Sequence, residues 1–154
     1  MKESKKKVES VENSNMKVKI KKLHENAVIP KYAKPGDAGM DLVAVTQSIL
    51  PDGIVYGTGL AMEIPEGYVG LLFPRSSNCK KTLLLTNSVG VIDSGYRGEI
   101  KMVFDTYRIP GKKYEVGDRV GQLIIIPYPQ VEFEEVQELN SSERGEGSYG
   151  STGK

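Results

Sequence analysis

The segment Arg119-Val-Gly-Gln-Leu-Ile-Ile-Ile-Pro-Tyr128 is the strongest indicator of fold class in the sequence. Its central run, residues 123–126, is apolar on both faces of an extended chain. A strand of this kind has no side to present to water. We therefore expect it to be buried between two sheets or in a subunit interface.

Other short segments have strand composition, and turns rich in Gly, Pro and Asp separate several of them. The predicted strands cover residues 16–23, 41–45, 58–64, 68–74, 82–86, 99–106 and 119–128. The predicted turns lie at 51–53, 65–67, 110–111 and 117–118. A short helical turn is compatible with residues 75–80. The pattern predicts an all-β fold, a jelly-roll β-sandwich or barrel.

Composition limits the class of protein. The 154 residues are enough for one domain with a hydrophobic core. The 21 basic and 20 acidic side chains give a net charge of +1, which argues against a dedicated nucleic-acid binder. No apolar run reaches the roughly 18 residues that span a membrane. Because Cys79 is the single cysteine, no intrachain disulfide can form, and we expect a cytoplasmic protein.

The two ends differ in composition from the middle of the chain. Residues 1–15 lack apolar periodicity and predict a disordered N-terminal tail, with a functional charged tail as the alternative. Residues 16–139 form the predicted β domain, and residues 140–154 a Gly-rich C-terminal arm. Composition alone favours a disordered end for this arm, and the alternative is a lid that orders over a bound ligand.

Few groups in the sequence suit nucleophilic or metal chemistry. His24 is the single histidine, so a Ser–His or Cys–His system would depend on this residue alone. Cys79 lies beside two lysines, but a small unreactive side chain is its commoner role. No Cys/His set has the spacing of zinc ligands. We therefore expect a carboxylate as the catalytic base.

Three segments combine glycines with polar side chains. Residues 35–41 hold a two-glycine turn between carboxylates, either an ordinary Asx turn or a functional loop. Residues 90–99 predict an apolar strand, a tight hairpin and a second strand from Glu99, with a loop that could hold a planar ligand. Residues 144–153 carry donors suited to phosphate oxygens, without the spacing of a P-loop.

These segments and two more resemble the five motifs of the deoxyuridine triphosphatase family, in the same order. The matching residues are 35–44, 74–77, 87–98, 117–123 and 144–153. The resemblance implies a homotrimer of jelly rolls with active sites between subunits. It implies Mg2+-assisted hydrolysis of dUTP to dUMP and pyrophosphate by attack of water on the α-phosphorus. That activity limits uracil incorporation into DNA and supplies dUMP for dTTP synthesis.

The resemblance also implies roles for residues that contact the nucleoside. Asp93 would activate the attacking water as a general base and accept the sugar 3′-hydroxyl. Tyr96 would pack on the deoxyribose and leave no room for a 2′-hydroxyl. Asn87, with the backbone of Gly90 and Val91, would pair with the uracil edge.

A second group of residues would hold the phosphates. Asp41 would contact Mg2+ through water, because this ion keeps several of its waters and binds mainly the triphosphate. The residues implied to hold the phosphate chain are Arg75, Ser76, Ser77 and Gln122. Those implied to close the site from the arm of another subunit are Arg144, Tyr149, Gly150, Ser151 and Thr152.

The sequence departs from the usual family pattern in four places. In the arm, Tyr149 stands for the commoner Phe and Ser148 for a glycine. In the second motif, Ser77-Asn78-Cys79 stands for Gly-Leu-Ala. Gly121 stands where alanine is more frequent. None of these changes removes a chemical group from the implied mechanism, but those in the arm and the second motif bear on rate and lid closure.

Two other functions are compatible with parts of the pattern. A dCTP deaminase shares the jelly-roll trimer, but it would place a catalytic Glu beside the base, whereas the third motif matches the triphosphatases and Asn87 suits uracil. A regulatory module would bind dUTP, or a protein partner, without turnover. The presence of Asp41, Asp93 and the complete arm argues against lost activity, and no motif indicates a regulatory partner.

Overall fold

The computed structural model describes residues 16–107 and 111–147, so the predicted tail at 1–15 lies outside the described residues. Ten strands and a 3-10 helix at Ser76–Lys80 form the regular structure of this part of the chain. The strands are β1 Lys19–Lys22, β2 Met40–Val43, β3 Thr46–Leu50, β4 Gly53–Gly57, β5 Leu60–Glu63, β6 Tyr68–Phe73, β7 Leu83–Leu85, β8 Gly90–Ile92, β9 Lys101–Thr106 and β10 Arg119–Pro127. No helix in the described ranges has the length and apolar character needed to cross a membrane.

Two four-stranded sheets form the body of the domain. One has the order β2-β10-β6-β8 and the other β3-β4-β9-β7, while β1 and β5 form a separate pair. Every pairing is antiparallel. Buried residues of both large sheets make one core, including Leu42 and Leu72 of the first and Tyr56 and Phe104 of the second. This arrangement confirms the all-β jelly-roll prediction.

Strand β10 has the central place that its apolar run predicts. It pairs with β2 on one side and with β6 on the other. Leu123 is 1% exposed, but Ile126 near the end of the strand is 40% exposed. Within the single chain only Leu123 of the run is buried, while Ile124 and Ile125 are half-buried, so burial of both faces in a subunit interface stays a prediction.

The predicted hairpin at residues 90–99 is wrong. β8 pairs with β6 in the first sheet, whereas β9 pairs with β4 and β7 in the second. Before β9 begins, the chain between them contacts the segment that joins β4 to β5, because the Ile100 N–H donates to the Leu60 carbonyl at 2.8 Å. The Ile100 carbonyl in turn accepts the Thr58 N–H at 3.2 Å. Residues 93–100 therefore connect two sheets.

Strands β3 and β4 were not predicted, although the turn that joins them was. They pair in register from Thr46 opposite Gly57 to Leu50 opposite Gly53. β3 carries exposed apolar residues, Ile49 and Leu50, and β4 begins and ends with glycine. Neither segment has the clean alternation from which a strand is predicted.

Candidate active site

The first, second and fourth motifs meet in one cleft of about 430 Å3. Gln122 on β10 stands opposite Asp41 on β2 and opposite Phe73, the last residue of β6. Arg75 and Ser76 follow β6 within three residues, so the sheet register brings all three motifs together. The cleft is lined by Lys31, Ala33, Asp37, Ala38, Gly39, Asp41, Arg75, Ser76, Gln122 and Ile124.

Charge in this cleft centres on the Asp41 carboxylate. Arg75 donates from Nε to Oδ1 at 2.7 Å and from Nη2 to Oδ2 at 3.4 Å. Arg119 donates from Nη1 to Oδ2 at 3.1 Å. Two guanidinium groups around one carboxylate leave a net positive charge, which favours an anionic ligand such as a phosphate chain.

Glycine occupies positions 36 and 39 of the first motif for two different structural reasons. Gly36 has a φ of +88°, a left-handed conformation that favours glycine. Gly39 is needed for close approach, because a Cβ at this position would collide with Oε1 of Gln122. Gln122 itself donates from Nε2 to the Pro74 carbonyl at 3.0 Å. The turn therefore sets the position of a predicted phosphate-binding side chain.

The beginning of the third motif lines a second cleft, of about 240 Å3. Ser88 adopts a φ of +59°, which is uncommon for a residue with a side chain. Its N–H donates to the Leu85 carbonyl at 2.9 Å, closing a tight turn after β7. The cleft is lined by Leu72, Leu85, Thr86, Asn87, Gly90, Lys101, Met102 and Val103.

Asp93 and Tyr96 lie in the connection between β8 and β9. The Asp93 carbonyl accepts the Tyr96 N–H at 3.1 Å, and within residues 16–107 and 111–147 nothing hydrogen bonds to the Asp93 carboxylate. Tyr96 is 44% exposed, yet its hydroxyl donates to the Glu99 carbonyl at 3.0 Å. A Cβ at Gly98 would collide with this phenol. The ring is thus held in place while one face stays open.

The predicted site residues therefore fall into three groups. Asp41, Arg75, Ser76 and Gln122 line the first cleft, whereas Asn87 and Gly90 line the second. The third group lines neither cleft and consists of Val91, which is exposed on β8, and of Asp93 and Tyr96 in the connection that follows. Ser77 stands next to the first cleft, since its Oγ accepts from Arg75 Nη1 at 3.2 Å.

The part of the arm that the structure describes lines neither cleft. There, Arg144 donates from Nε to the Gly147 carbonyl at 3.1 Å. The remaining predicted residues of the arm, Tyr149, Gly150, Ser151 and Thr152, lie outside the described residues.

Several residues that line the clefts were not predicted from the sequence. Lys31 and Asp37 line the first cleft, and Lys101 and Val103 line the second. Asp37 lies inside the first motif, so its place in the sequence could have predicted that it lines the cleft. Lys101 and Val103 belong to β9, and only the sheet pairing reveals that β9 flanks Asn87.

The donor set of the first cleft suits a magnesium ion that is held mainly by its ligand. In the described ranges, no group of three or more His, Cys, Asp or Glu side chains could hold a metal by itself. Asp41 and Asp37 supply carboxylate oxygens to the cleft. A hard cation that retains its waters and binds phosphate oxygens requires no more protein ligands than these.

A comparison with protein families decides the identity. The family model described as dUTPase matches residues 25–153. The chain belongs to the dUTPase family. Among its relatives, the deoxyuridine 5'-triphosphate nucleotidohydrolase of Clostridium acetobutylicum is 40% identical over 139 residues, which cover 88% of this chain and 96% of the relative. The enzyme of the same name from Corynebacterium glutamicum is 43% identical over 142 residues, with 89% and 95% covered.

Solved dUTPase structures share the fold. The Staphylococcus bacteriophage 80alpha dUTPase, solved with dUpNHpp, has a TM-score of 0.78 and 31% identity, over 89% of this chain and 98% of the phage chain. A mutant dUTPase from phage phi11 of S. aureus has a TM-score of 0.70 and 28% identity, over 80% and 98% of the two chains. The phi11 protein coordinates a structural Mg(II) ion.

Proposed function

We propose that the two clefts are the phosphate half and the nucleoside half of a dUTP diphosphatase site. As a member of the dUTPase family, the chain hydrolyses dUTP to dUMP and pyrophosphate. One observation carries the assignment of the phosphate half. Three motifs that are distant in sequence converge on a cleft in which two arginines surround one carboxylate.

In the phosphate half, Arg75, Ser76, Ser77 and Gln122 bind the triphosphate. Arg75 can exchange its carboxylate partner for phosphate oxygens, since a guanidinium pairs with either in the same two-pronged geometry. Asp41, still held at Oδ2 by Arg119, can then accept a water of the Mg2+ shell at Oδ1. When bound with dUTP, Mg2+ neutralises charge that develops on the phosphates.

In the nucleoside half, Asn87 and the backbone of Gly90 and Val91 bind the uracil edge. Tyr96 packs its open face on the deoxyribose and excludes a 2′-hydroxyl. Asp93 takes a proton from the water that attacks the α-phosphorus, and pyrophosphate leaves. The absence of a hydrogen bond to this carboxylate from the described residues leaves it available for that water.

We infer that the two halves belong to one site formed between copies of the chain, as in a homotrimer. The phosphate residues and the base-pairing residues line separate clefts of one chain. After β10 the described residues contain no strand, and Phe133 is 93% exposed. Such an arm buries its apolar side chains if it packs on another copy. Arg144, Tyr149, Gly150, Ser151 and Thr152 would then close a neighbour's site.

The activity is tested by incubating the protein with dUTP, dTTP, dCTP and UTP, with Mg2+ or with EDTA. We expect dUMP and pyrophosphate from dUTP alone, and only with Mg2+. Ammonia from dCTP would instead identify a deaminase. Tight dUTP binding without pyrophosphate release would identify a regulatory module. With the expected result, the protein limits uracil incorporation into DNA and supplies dUMP for dTTP synthesis, in a reducing cytoplasm.

Mixing two inactive variants tests where the halves meet. Arg75→Ala disables the phosphate half and Asp93→Asn removes the proposed base that belongs with the nucleoside half, and each alone should be nearly inactive. Suppose that each site takes its two halves from different copies in a symmetric oligomer. When the two variants are mixed in equal amounts and exchange subunits, about a quarter of the sites then receive an intact phosphate half and an intact nucleoside half, and activity is partly restored. A site within one chain gives no recovery, which would contradict the proposed assembly.

A further inference from the structure

The phosphate-binding side chain of Arg75 is tied to the hydrophobic core. Its Nη1 donates to Ser77 Oγ at 3.2 Å, and its carbonyl accepts the Asn78 N–H at 2.9 Å. The Asn78 side chain accepts, at Oδ1, a hydrogen bond of 2.9 Å from the Tyr114 hydroxyl. Arg75 is therefore two hydrogen bonds from a core tyrosine.

Tyr114 is a fixed point in that core. It is 2% exposed and packs edge-on against Tyr56, with ring centroids 5.9 Å apart. The Tyr56 hydroxyl donates to the Tyr114 carbonyl at 2.9 Å and accepts the Tyr114 N–H at 3.1 Å. Backbone and ring of Tyr114 are both held, so its hydroxyl has little freedom to move.

Asn78 links Tyr114 to the 3-10 helix Ser76–Lys80 through the hydrogen bonds of its side chain. Its Nδ2 donates to the Leu83 carbonyl at 2.9 Å, while its Oδ1 accepts from Tyr114. Both ends of the amide are engaged, so the side chain cannot rotate without losing a partner. Its backbone N–H meanwhile fixes the Arg75 carbonyl at the start of the turn.

The electrostatics keep the tyrosine in its donor form. Burial raises the pKa of Tyr114, and the positive charge of Arg75 opposes that rise. The phenol stays protonated at neutral pH and donates to Asn78.

We propose that Tyr114 is a positioning residue for dUTP hydrolysis, which orients Arg75 toward the phosphate chain through Asn78, while Ser77 holds the Arg75 guanidinium. This role rests on the proposed phosphate-binding function of Arg75. Ser77 and Asn78 stand where the family more often has glycine and leucine, which lack the groups that make these two hydrogen bonds. The unusual residues of the second motif and Tyr114 thus belong to one hydrogen-bonded group around Arg75.

The decisive variant is Tyr114→Phe, which keeps the ring and removes the hydroxyl. Tyr107→Phe is the matched control, because the Tyr107 hydroxyl donates to the Lys81 carbonyl at 3.2 Å, just beyond the same 3-10 helix, without a link to Arg75. Steady-state kinetics with dUTP and inhibition by α,β-imido-dUTP and by deoxyuridine separate phosphate binding from nucleoside binding.

We expect Tyr114→Phe to raise KM for dUTP and to weaken α,β-imido-dUTP inhibition about five- to tenfold, the scale of one lost hydrogen bond. Inhibition by deoxyuridine, which has no phosphate, should match wild type, as should every constant of Tyr107→Phe. Equal weakening for deoxyuridine would indicate general damage, and unchanged α,β-imido-dUTP inhibition would refute the role. Either result overturns the proposal.

Ser77→Ala provides a second test if Tyr114→Phe folds poorly. This variant should weaken inhibition by α,β-imido-dUTP in the same way. The loss of inhibition in the double variant should be smaller than the sum of the losses in the two single variants. Additive losses would count against a shared route. Failure of the wild type to hydrolyse dUTP would refute the proposed function instead. The Arg75 Nε–H signal in NMR would still report whether Tyr114→Phe frees that side chain.

Discussion

Asp41 accepts two hydrogen bonds from the guanidinium of Arg75, at 2.7 and 3.4 Å, inside the cleft that also holds Ser76 and Gln122. Without substrate, the group proposed to bind phosphate is thus paired with the acid proposed to hold the water shell of Mg2+. In the proposed function, Mg2+ and dUTP bound together would replace this one pair with two new interactions. Neither ligand alone would satisfy both side chains.

Asp41→Asn should uncouple the nucleotide from the metal. The amide keeps the shape of the side chain but loses the charge that attracts hydrated Mg2+. We expect the Mg2+ concentration for half-maximal activity to rise about tenfold, the scale of one lost charge-assisted contact. A Mg2+ titration of dUTP turnover checks this. Glu66→Gln, at an acid that lines neither cleft, is the control, and a wild-type titration curve for Asp41→Asn would contradict the assignment.

Asp93→Asn should separate binding from chemistry. Asparagine can still accept the sugar hydroxyl, but it cannot take a proton from the attacking water. We expect the dissociation constant for dUTP to change little, while turnover falls at least about 100-fold, the scale of a lost general base. Calorimetry and single-turnover kinetics measure the two quantities separately. Near-normal turnover would remove Asp93 from the role of base.

Deleting residues 141–154 should cripple turnover and leave the domain folded. The ten strands of the described residues all end before this segment, the last at Pro127, so the deletion removes none of them. The deleted segment contains Arg144 and the predicted closing residues that follow it. We expect an unchanged unfolding midpoint together with a large loss of kcat. A truncated protein with full activity would show that the arm is not a lid.

Sequence patterns predicted the strands that carry a motif or a strong apolar run. β2, β6 and β10 are adjacent in one sheet, and each was predicted within a few residues because branched apolar residues dominate it. β3 and β4 were missed because exposed Ile49 and the terminal glycines of β4 disguise the alternation. Local pattern succeeds where one face is clearly buried and fails where it is not.

The connection at residues 93–100 shows what local pattern cannot supply. A tight turn between two apolar segments predicts a hairpin, yet Ile100 pairs its backbone with Thr58 and Leu60 instead. That choice depends on strands some forty residues earlier in the chain. The motifs predicted which residues belong to the candidate site. They could not predict that these residues line two separate clefts, because the pairing of distant strands decides which residues share a cleft.

Gly121→Ala should destabilise the domain, although alanine is more frequent here in the family. A Cβ at Gly121 would collide with the thioether of Met102, which is buried, and would lie 3.1 Å from the Phe73 carbonyl. We expect a loss of about 1–3 kcal/mol in unfolding free energy, typical of overpacking. Met102→Val in the same chain should recover part of it.

Chemical denaturation of the two single variants and the double variant measures this coupling. Gly95→Ala is the control, because nothing lies within 4 Å of a Cβ at that glycine. If the losses of unfolding free energy were additive in the double variant, the alanine methyl group would not contact Met102.

Tyr56→Phe should change how stability depends on alkaline pH. Burial raises the pKa of Tyr56 from 10.0 to about 12, so the folded state holds this proton longer than the unfolded state does. Its stabilising contribution is complete below pH 10 and is lost between pH 10 and about 12. At neutral pH we expect Tyr56→Phe to cost about 1–3 kcal/mol, because the Tyr114 backbone loses its partner. The difference between wild type and variant should shrink above pH 10. Denaturation curves across that range check this, and a constant difference would mean that the phenol titrates alike in both states.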